Sequence, residues 1–267
     1  MSVQRLSHIG VCVSDLERSV KFYRDALGFR ELSRLAVEGA ESERLLDIEG
    51  GEDVLEVGCG WGSLAGRIID AGARHLTGIS LSHEQTAYAR KRHADTANGD
   101  AIDFALRDYR AVAQRYDRIV SIEMFEAVGE KYWPVYFEQL RRSLRDEGTA
   151  VLQIITIADK LFESYRSRPD FIQQYIFPGG MLPTVGHVEG HAERAGFQVE
   201  NYEPFGLSYA RTLDDWHARF NDAWPEIESL GFDDRFKRMW DYYLTYCAVG
   251  FRHHAIDVGL FKLTPVK

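Results

Sequence analysis

The stretch Asp53-Val-Leu-Glu-Val-Gly-Cys-Gly-Trp-Gly62 decides how the rest of this chain is read. Asp53 to Val57 is a short apolar strand interrupted by acids, and it runs directly into glycines at 58, 60 and 62, with a helix-like stretch over 63–71 behind them. Glycine accepts positive φ and lets bare amides approach a ligand. The helix that follows turns its partial positive end toward the same spot. The G-x-G-x-G spacing differs from the G-x-G-x-x-G of a dinucleotide fingerprint, which weakens a pyrophosphate reading. Glu56, an acid inside the strand just before the turn, suits a ligand carrying an ammonium group. A nucleoside amino acid such as S-adenosylmethionine fits that pattern better than NAD.

Working outward, strand-like and helix-like segments alternate from residue 52 onward. Strands are expected over 53–57, 75–79, 102–106, 118–122 and 149–155. Helices are expected over 63–71, 84–94 (behind a Ser82 cap), 132–144 and 188–195. A last pair of strands, 198–204 and 256–263, would close the sheet, and 212–252 between them reads as helical and rich in aromatics. This is an α/β chain of Rossmann-like type: a doubly wound, mostly parallel sheet with a helical insertion at its ligand edge. Open sheets of this kind bind ligands at successive strand mouths. After the second strand comes Ser80, where a ribose-binding acid would normally stand, with Gln85 on the first helical turn behind it. After the third, Asp108 offers a carboxylate for an adenine amine and Tyr109 a ring to stack on it. After the fourth, Glu123 and Glu126 put two acids at the mouth. Each has a plainer reading. The glycines can simply let a helix pack on the sheet, the two acids can cap a helix or pair with arginines, and most of the aromatics from Phe162 to Tyr246 can be core.

Bulk composition narrows the function classes. With 267 residues, 45% of them hydrophobic, the chain has room for one large domain or a medium domain with an appendage. A net charge of −9 argues against electrostatic binding of nucleic acid or simple adhesion to an anionic membrane. Cys12, Cys59 and Cys247 lie far apart in no metal-binding spacing and read as reduced thiols of a cytoplasmic protein. No segment approaches the roughly 20 apolar residues of a membrane span.

Residues ahead of the glycine motif have a pattern of their own. The string RLSHIGVCVSDLERSVKFYRDALGFRE resembles the opening β-α-β of the vicinal oxygen chelate family, which includes the glyoxalases. In that family a histidine at the position of His8 is a metal ligand. One histidine cannot hold a metal against water, so no metal site is expected. The expected division is a glyoxalase-like fragment over 1–50 and a second domain over 51–267.

That second domain resembles the cyclopropane-fatty-acyl-phospholipid synthase family, through VLEVGCGWG, TGISLSHEQTAYAR, YDRIVSIEMFEAVGEKYW, YIFPGGMLPT and FKRMWDYYLTYCAVGFRHHAIDVGLF. The resemblance covers about residues 52–264 and implies a class I S-adenosylmethionine-dependent methyltransferase. Such an enzyme acts on the double bond of an unsaturated phospholipid acyl chain, giving a cyclopropane or methyl-branched product, with transient contact at the inner membrane face. Carried over residue by residue, it assigns Gly58, Gly60, Gly62, Gln85, Asp108 and Tyr109 to the cofactor; Glu56, Cys59, Ser80 and Glu123, which stand on the same turn and strand mouths, complete the expected cofactor set. Glu126 would help to hold a bicarbonate acting as general base. Tyr209 and the backbone of Ile155 would contact the same anion, and Gln153 stands where the family often has a histidine. A neutral amide can hydrogen-bond an anion but cannot share its proton. The stretch ahead of residue 52 does not match the family's long N-terminal region, whose cysteine touches the bicarbonate. The expectation drawn from that difference is a chain that binds S-adenosylmethionine yet methylates lipid weakly or not at all. A small-molecule methyltransferase and a cofactor-binding fusion with impaired turnover are the alternatives.

Overall fold

The computed structural model describes Leu46 and residues 48–266. The β-α-β segment expected near the N-terminus, with His8 and Cys12, lies outside the described residues. Among the described residues, seven strands form one sheet: β1 (Asp53–Val57), β2 (His75–Ser80), β3 (Ile102–Leu106), β4 (Tyr116–Ile122), β5 (Leu144–Ile157), β6 (Phe197–Pro204) and β7 (Ile256–Pro265). Their order is β3-β2-β1-β4-β5-β7-β6. Strands β1 to β5 pair in parallel, and β7 enters antiparallel between β5 and β6. Strand order reverses at β1, which lies between β2 and β4, so the carboxyl ends of these strands open onto the sheet's natural ligand crevice.

The central strands form where they do because both of their faces are covered. From Val54 through Val57 every side chain of β1 is buried, as is every one of β2 after His75, which explains near-continuous apolar runs in place of alternation. On one face lie α1 (Ala65–Asp70) and α2 (His83–His93), packing Ile68 and Ala89 against Val54 and Phe104. Across the sheet lie α3 (Trp133–Ser143) and α5 (Val185–Arg194), with Trp133, Tyr136, Phe137 and Val188 against Leu55 and Leu152. Between them in sequence come α4 (Asp159–Ser167) and a π-helical turn, Ile172–Ile176. A third apolar cluster is built by α6 (Gly206–Asp222), α7 (Trp224–Ser229) and α8 (Asp234–Arg252) through Tyr209, Phe220, Ile227, Tyr243 and Phe251. At the far edge, the amino ends of β1 and β4 carry charge. The Arg118 guanidinium, 3% exposed, pairs with Glu52 at 2.7 Å, Arg74 pairs with Asp53 at 2.5 Å, and Arg145 pairs with Asp117.

Several boundaries differ from expectation for identifiable reasons. The helix expected over 132–144 stops at Ser143, and Leu144 opens a β5 of 14 residues, twice the expected strand over 149–155. Helix α5 starts at Val185, before the expected 188, because Thr184 and His187 form a reciprocal capping box. The helical insertion begins at Gly206 instead of Thr212, and it breaks before Pro225 and around Gly231. Leu46 and Ile48, 7% and 6% exposed, are buried in the same cluster as Val54 and Ile68, so the packed unit starts upstream of the glycine motif.

Candidate active site

The turn after β1 is fastened to β2 by two amides, since Gly58 N and Cys59 N both donate to Ile79 O at 3.0 Å. Gly60 has φ +53 and open space where a Cβ would stand. Gly62 is different. At φ +73, a Cβ there would come within 2.9 Å of Ala89 and Phe104. Gly58, Cys59 and Gly60 line a cavity of about 1400 Å³, whereas Gly62 is set apart from it and serves the packing of β1's turn on α2 and β3. Expecting all three glycines on the ligand missed that alternation. The Cys59 thiol is buried, and burial raises its pKa, so it contributes as a small apolar wall. Glu56, 3% exposed, keeps Oε2 without a hydrogen-bond partner, and burial pushes its carboxyl up to about 8. A buried carboxylate oxygen with no donor, on a cavity wall, is an unfilled receptor for a cationic group.

At the mouth of β2, Ser80 Oγ donates to Gln85 Oε1 at 2.8 Å, and both residues line the cavity. Beyond β3, Asp108 grips its own neighbour: Arg110 Nε lies 2.9 Å from Oδ1 and Nη2 lies 2.5 Å from Oδ2. That pairing holds the Asp108 carboxyl below its ordinary range. Tyr109 faces the cavity with its ring braced edge-on against Tyr136, centroids 5.5 Å apart.

The mouth of β4 is where three elements converge. Glu123 sits in the left-handed region at φ +49, and its N–H donates to Gln153 O on β5 at 2.9 Å. Its Oε1 accepts two hydrogen bonds, from Gln153 Nε2 at 2.7 Å and from Tyr209 OH of α6 at 2.8 Å. Glu126 Oε1 accepts from Ile155 N at 2.6 Å, while its Oε2 is buried without a partner. Protein encloses both acids, although each keeps some surface on the cavity. Burial pushes Glu123 up to about 7, opposed by its two donors, and Glu126 up to about 8, with the Glu123 charge adding to the rise. Burial also keeps the Tyr209 phenol protonated, so it donates.

Beside Glu126, the family resemblance put Tyr209, Gln153 and the backbone of Ile155 around a bicarbonate. All three already donate to carboxylates of the chain. A free anion here would find its donors engaged and two acids beside it, so this set does not fit a bicarbonate. The cofactor set does fit a nucleoside amino acid: an unpartnered buried acid, a glycine with clear space beside it, and an aromatic ring share one wall.

Past the two acids the cavity turns apolar, lined by Ile157, Leu161, Ile172, Ile176, Met181, Leu182 and Leu213. Of the aromatics from Phe162 to Tyr246, Tyr165, Phe177, Tyr209, Tyr243 and Tyr246 line it. Met124 and Cys247 were passed over as site residues. A Cβ on Gly58 would stand 2.9 Å from Met124 Cγ, so Met124 closes the turn after β1, and its place between the two acids is the signal that could have found it. Cys247 lines the cavity with its thiol pushed up by burial to about 12. Among the described residues no group of three or more His, Cys, Asp or Glu could hold a metal ion. None of their helices is long and apolar enough to cross a membrane.

The profile of the mycolic acid cyclopropane synthetase family matches residues 40–261, which takes in every site residue described above. The chain belongs to that family. The match begins ahead of Leu46, in keeping with a packed unit that starts upstream of the glycine motif. Among curated cyclopropane synthetase relatives, the tuberculostearic acid methyltransferase UfaA1 of Mycobacterium tuberculosis is 39% identical over 232 residues, 85% of this chain and 54% of that protein. The cyclopropane-fatty-acyl-phospholipid synthase of Escherichia coli K12 is 38% identical over 218 residues, 82% of this chain and 54% of that protein. The chain thus spans about half the length of these two relatives. Among solved structures, the mycolic acid cyclopropane synthase CmaA1 complexed with SAH and CTAB superposes with a TM-score of 0.78 at 28% identity, covering 91% of this chain and 87% of that one. Residues 5–33 match a bleomycin resistance protein-like N-terminal profile, in agreement with the glyoxalase-like resemblance of that segment.

Proposed function

We propose that the chain transfers a one-carbon unit from S-adenosylmethionine to the double bond of an unsaturated acyl chain, with phospholipid as the carrier and a cyclopropane or methyl-branched chain as product. The observation that carries this reading is continuity: one cavity runs from the unpartnered Glu56 carboxylate, past Glu123 and Glu126, into an apolar wall. Its volume of about 1400 Å³ exceeds the roughly 300–1,000 Å³ of an ordinary small-ligand site, leaving room for a cofactor and a lipid tail together.

When bound, S-adenosylmethionine supplies an electrophilic methyl group and leaves as a neutral thioether. Glu56 would take the ammonium end, the open backbone at Gly60 the carboxylate end, Ser80 and Gln85 the ribose, and Tyr109 the face of the adenine. Because Asp108 is engaged by Arg110, it reaches an adenine amine only by sharing its oxygens. An alkene that accepts a methyl cation becomes a carbocation, which water would quench. The apolar wall excludes water, and the acids at 123 and 126 stabilise positive charge in a medium that screens it poorly. Phe177, Tyr246 and Val249 line the cavity and are also exposed, a mouth suited to receive an acyl chain from a lipid surface.

The test is a thermal-shift titration with S-adenosylmethionine, followed by mass spectrometry of vesicles of monounsaturated phospholipid incubated with protein and methyl-labelled cofactor. The expected result is a stabilising shift and a labelled lipid heavier by one carbon unit. A shift with no labelled lipid, alongside labelling of a water-soluble acceptor, would move the reading to a small-molecule methyltransferase.

A further inference from the structure

Tyr209 and Gln153, the side chains expected to hold an anion taken from solution, both spend their hydrogen on one oxygen of Glu123. Three features make this arrangement more than a fortuitous contact. Glu123 holds φ +49, a left-handed conformation unfavourable for a glutamate that persists only where the surroundings impose it. The Glu123 N–H bond to Gln153 O is one such restraint, and it fastens backbone and side chain to the same partner residue. Both donors also suit a charged acceptor: the amide of Gln153 gives a hydrogen and cannot take a proton, and the buried phenol of Tyr209 stays protonated. Finally, Glu126 stands in the same cavity with its Oε2 unpartnered, so a free anion there would face two carboxylates across a poorly screening medium.

We infer that Glu123 supplies, from within the chain, the anion that would otherwise be bound from solution, and that its carboxylate is the proton acceptor of the reaction. This rests on the methyl-transfer reading above. Once the alkene has gained a methyl group, the acyl chain carries one positive charge. A C–H bond of that methyl group breaks, and its electron pair closes the third side of a cyclopropane ring. The proton goes to the Glu123 carboxylate, giving a neutral carboxylic acid that returns the proton to water after product leaves. If a hydride first shifts from the methyl-bearing carbon to its cationic neighbour, the methyl C–H electron pair forms a C=C bond to the carbon that bears it, and the product is a methylene-branched chain with the same proton lost. Between the two acids, Glu123 is the better acceptor because Gln153 and Tyr209 hold its charge, whereas Glu126 is discouraged from ionising by burial and by Glu123 itself.

The experiment compares the full chain with Glu123→Gln and Glu123→Gly, using ¹³C-labelled bicarbonate and formate as probes. Bicarbonate binding is followed by carbon NMR, and turnover is measured in bicarbonate-free and bicarbonate-supplemented buffer. The intact chain is expected to bind no bicarbonate and to turn over equally in both buffers. Glu123→Gln keeps S-adenosylmethionine affinity within about threefold while turnover falls roughly 100-fold or more. Glu123→Gly relieves the backbone strain and vacates the space beside Tyr209 and Gln153. It should gain bicarbonate binding and recover part of its turnover when bicarbonate or formate is added. Bicarbonate binding or stimulation in the intact chain overturns the inference, as does wild-type turnover by Glu123→Gln or a Glu123→Gly chain that gains no anion binding. If the intact chain binds cofactor but labels no acyl lipid, the methyl-transfer reading fails. The carbon NMR titration still decides whether Glu123 fills the anion position.

Discussion

Gly60 and Gly62 stand two positions apart and differ in what a methyl group would meet. Space beside Gly60 is open, while beside Gly62 a Cβ would press on Ala89 and Phe104 at 2.9 Å. Gly60→Ala should therefore cost about 1 kcal/mol of stability through its positive φ and weaken S-adenosylmethionine binding about tenfold or more. Gly62→Ala should cost about 2–3 kcal/mol through overpacking, with cofactor affinity nearly unchanged in the folded fraction. Denaturant melts and calorimetry on both variants check this, and the reverse ranking would refute the assignment of the two glycines. Glu56 carries a pH signature of its own. Burial raises its carboxyl to about 8, so the folded chain keeps a proton that an unfolded chain releases near the ordinary carboxyl value of 4.5. Stability of the cofactor-free protein should then fall as pH rises from about 4.5 to about 8 and level off above that. Glu56→Gln should remove this slope, melt above the wild type near pH 9 without cofactor, and bind S-adenosylmethionine more weakly because the ammonium loses its counter-charge. A variant that binds cofactor as well as the wild type would sink the ammonium assignment.

Among elements, the charged edge of the sheet is tied to stability and kept away from chemistry. Arg118 and Glu52 pair at the amino ends of the strands, opposite the site. Arg118→Ala should cost about 3 kcal/mol by stranding Glu52, with S-adenosylmethionine affinity unchanged once the protein is folded. Melting curves and cofactor titrations on one sample test both halves. The central strands are legible in the sequence because burial on both faces writes them as unbroken apolar runs. The first residues of β5 are not, since Arg145, Asp146 and Glu147 look like a turn. Arg145 pairs with Asp117 and Asp53, carboxylates that folding brings from 28 and 92 positions away. The same limit applies to the site. Each acid is legible because it follows a strand, and the resemblance names the partners. The bonds that join Glu123 to Gln153 and Tyr209 cross 30 and 86 positions, and depend on the register of β4 with β5 and on where α6 begins. No window of sequence contains that geometry.

At the scale of the whole molecule, the cavity spans the sheet's crevice and the helical insertion, so its two ends can be disturbed separately. Ile176, half-buried on the apolar wall, is far in sequence from the cofactor turn. Ile176→Trp should lower acyl methylation about tenfold or more while leaving S-adenosylmethionine affinity within about threefold, with the larger loss on the longer acyl chains. Equal turnover across chain lengths would show that the lipid takes another route. The insertion of β7 between β5 and β6 has a consequence for how the protein is made. Among the described residues, strand β6 pairs with no strand other than β7, and β7 is about fifty residues further along the chain. During synthesis, β5 therefore presents an open edge and β6 waits without a place in the sheet until residues 256–265 have left the ribosome. An unpaired edge recruits any passing strand. The interval between the emergence of Pro204 and that of Pro265 is thus the period in which a nascent chain depends most on chaperones, and a ribosome stalled there would release a species prone to aggregate.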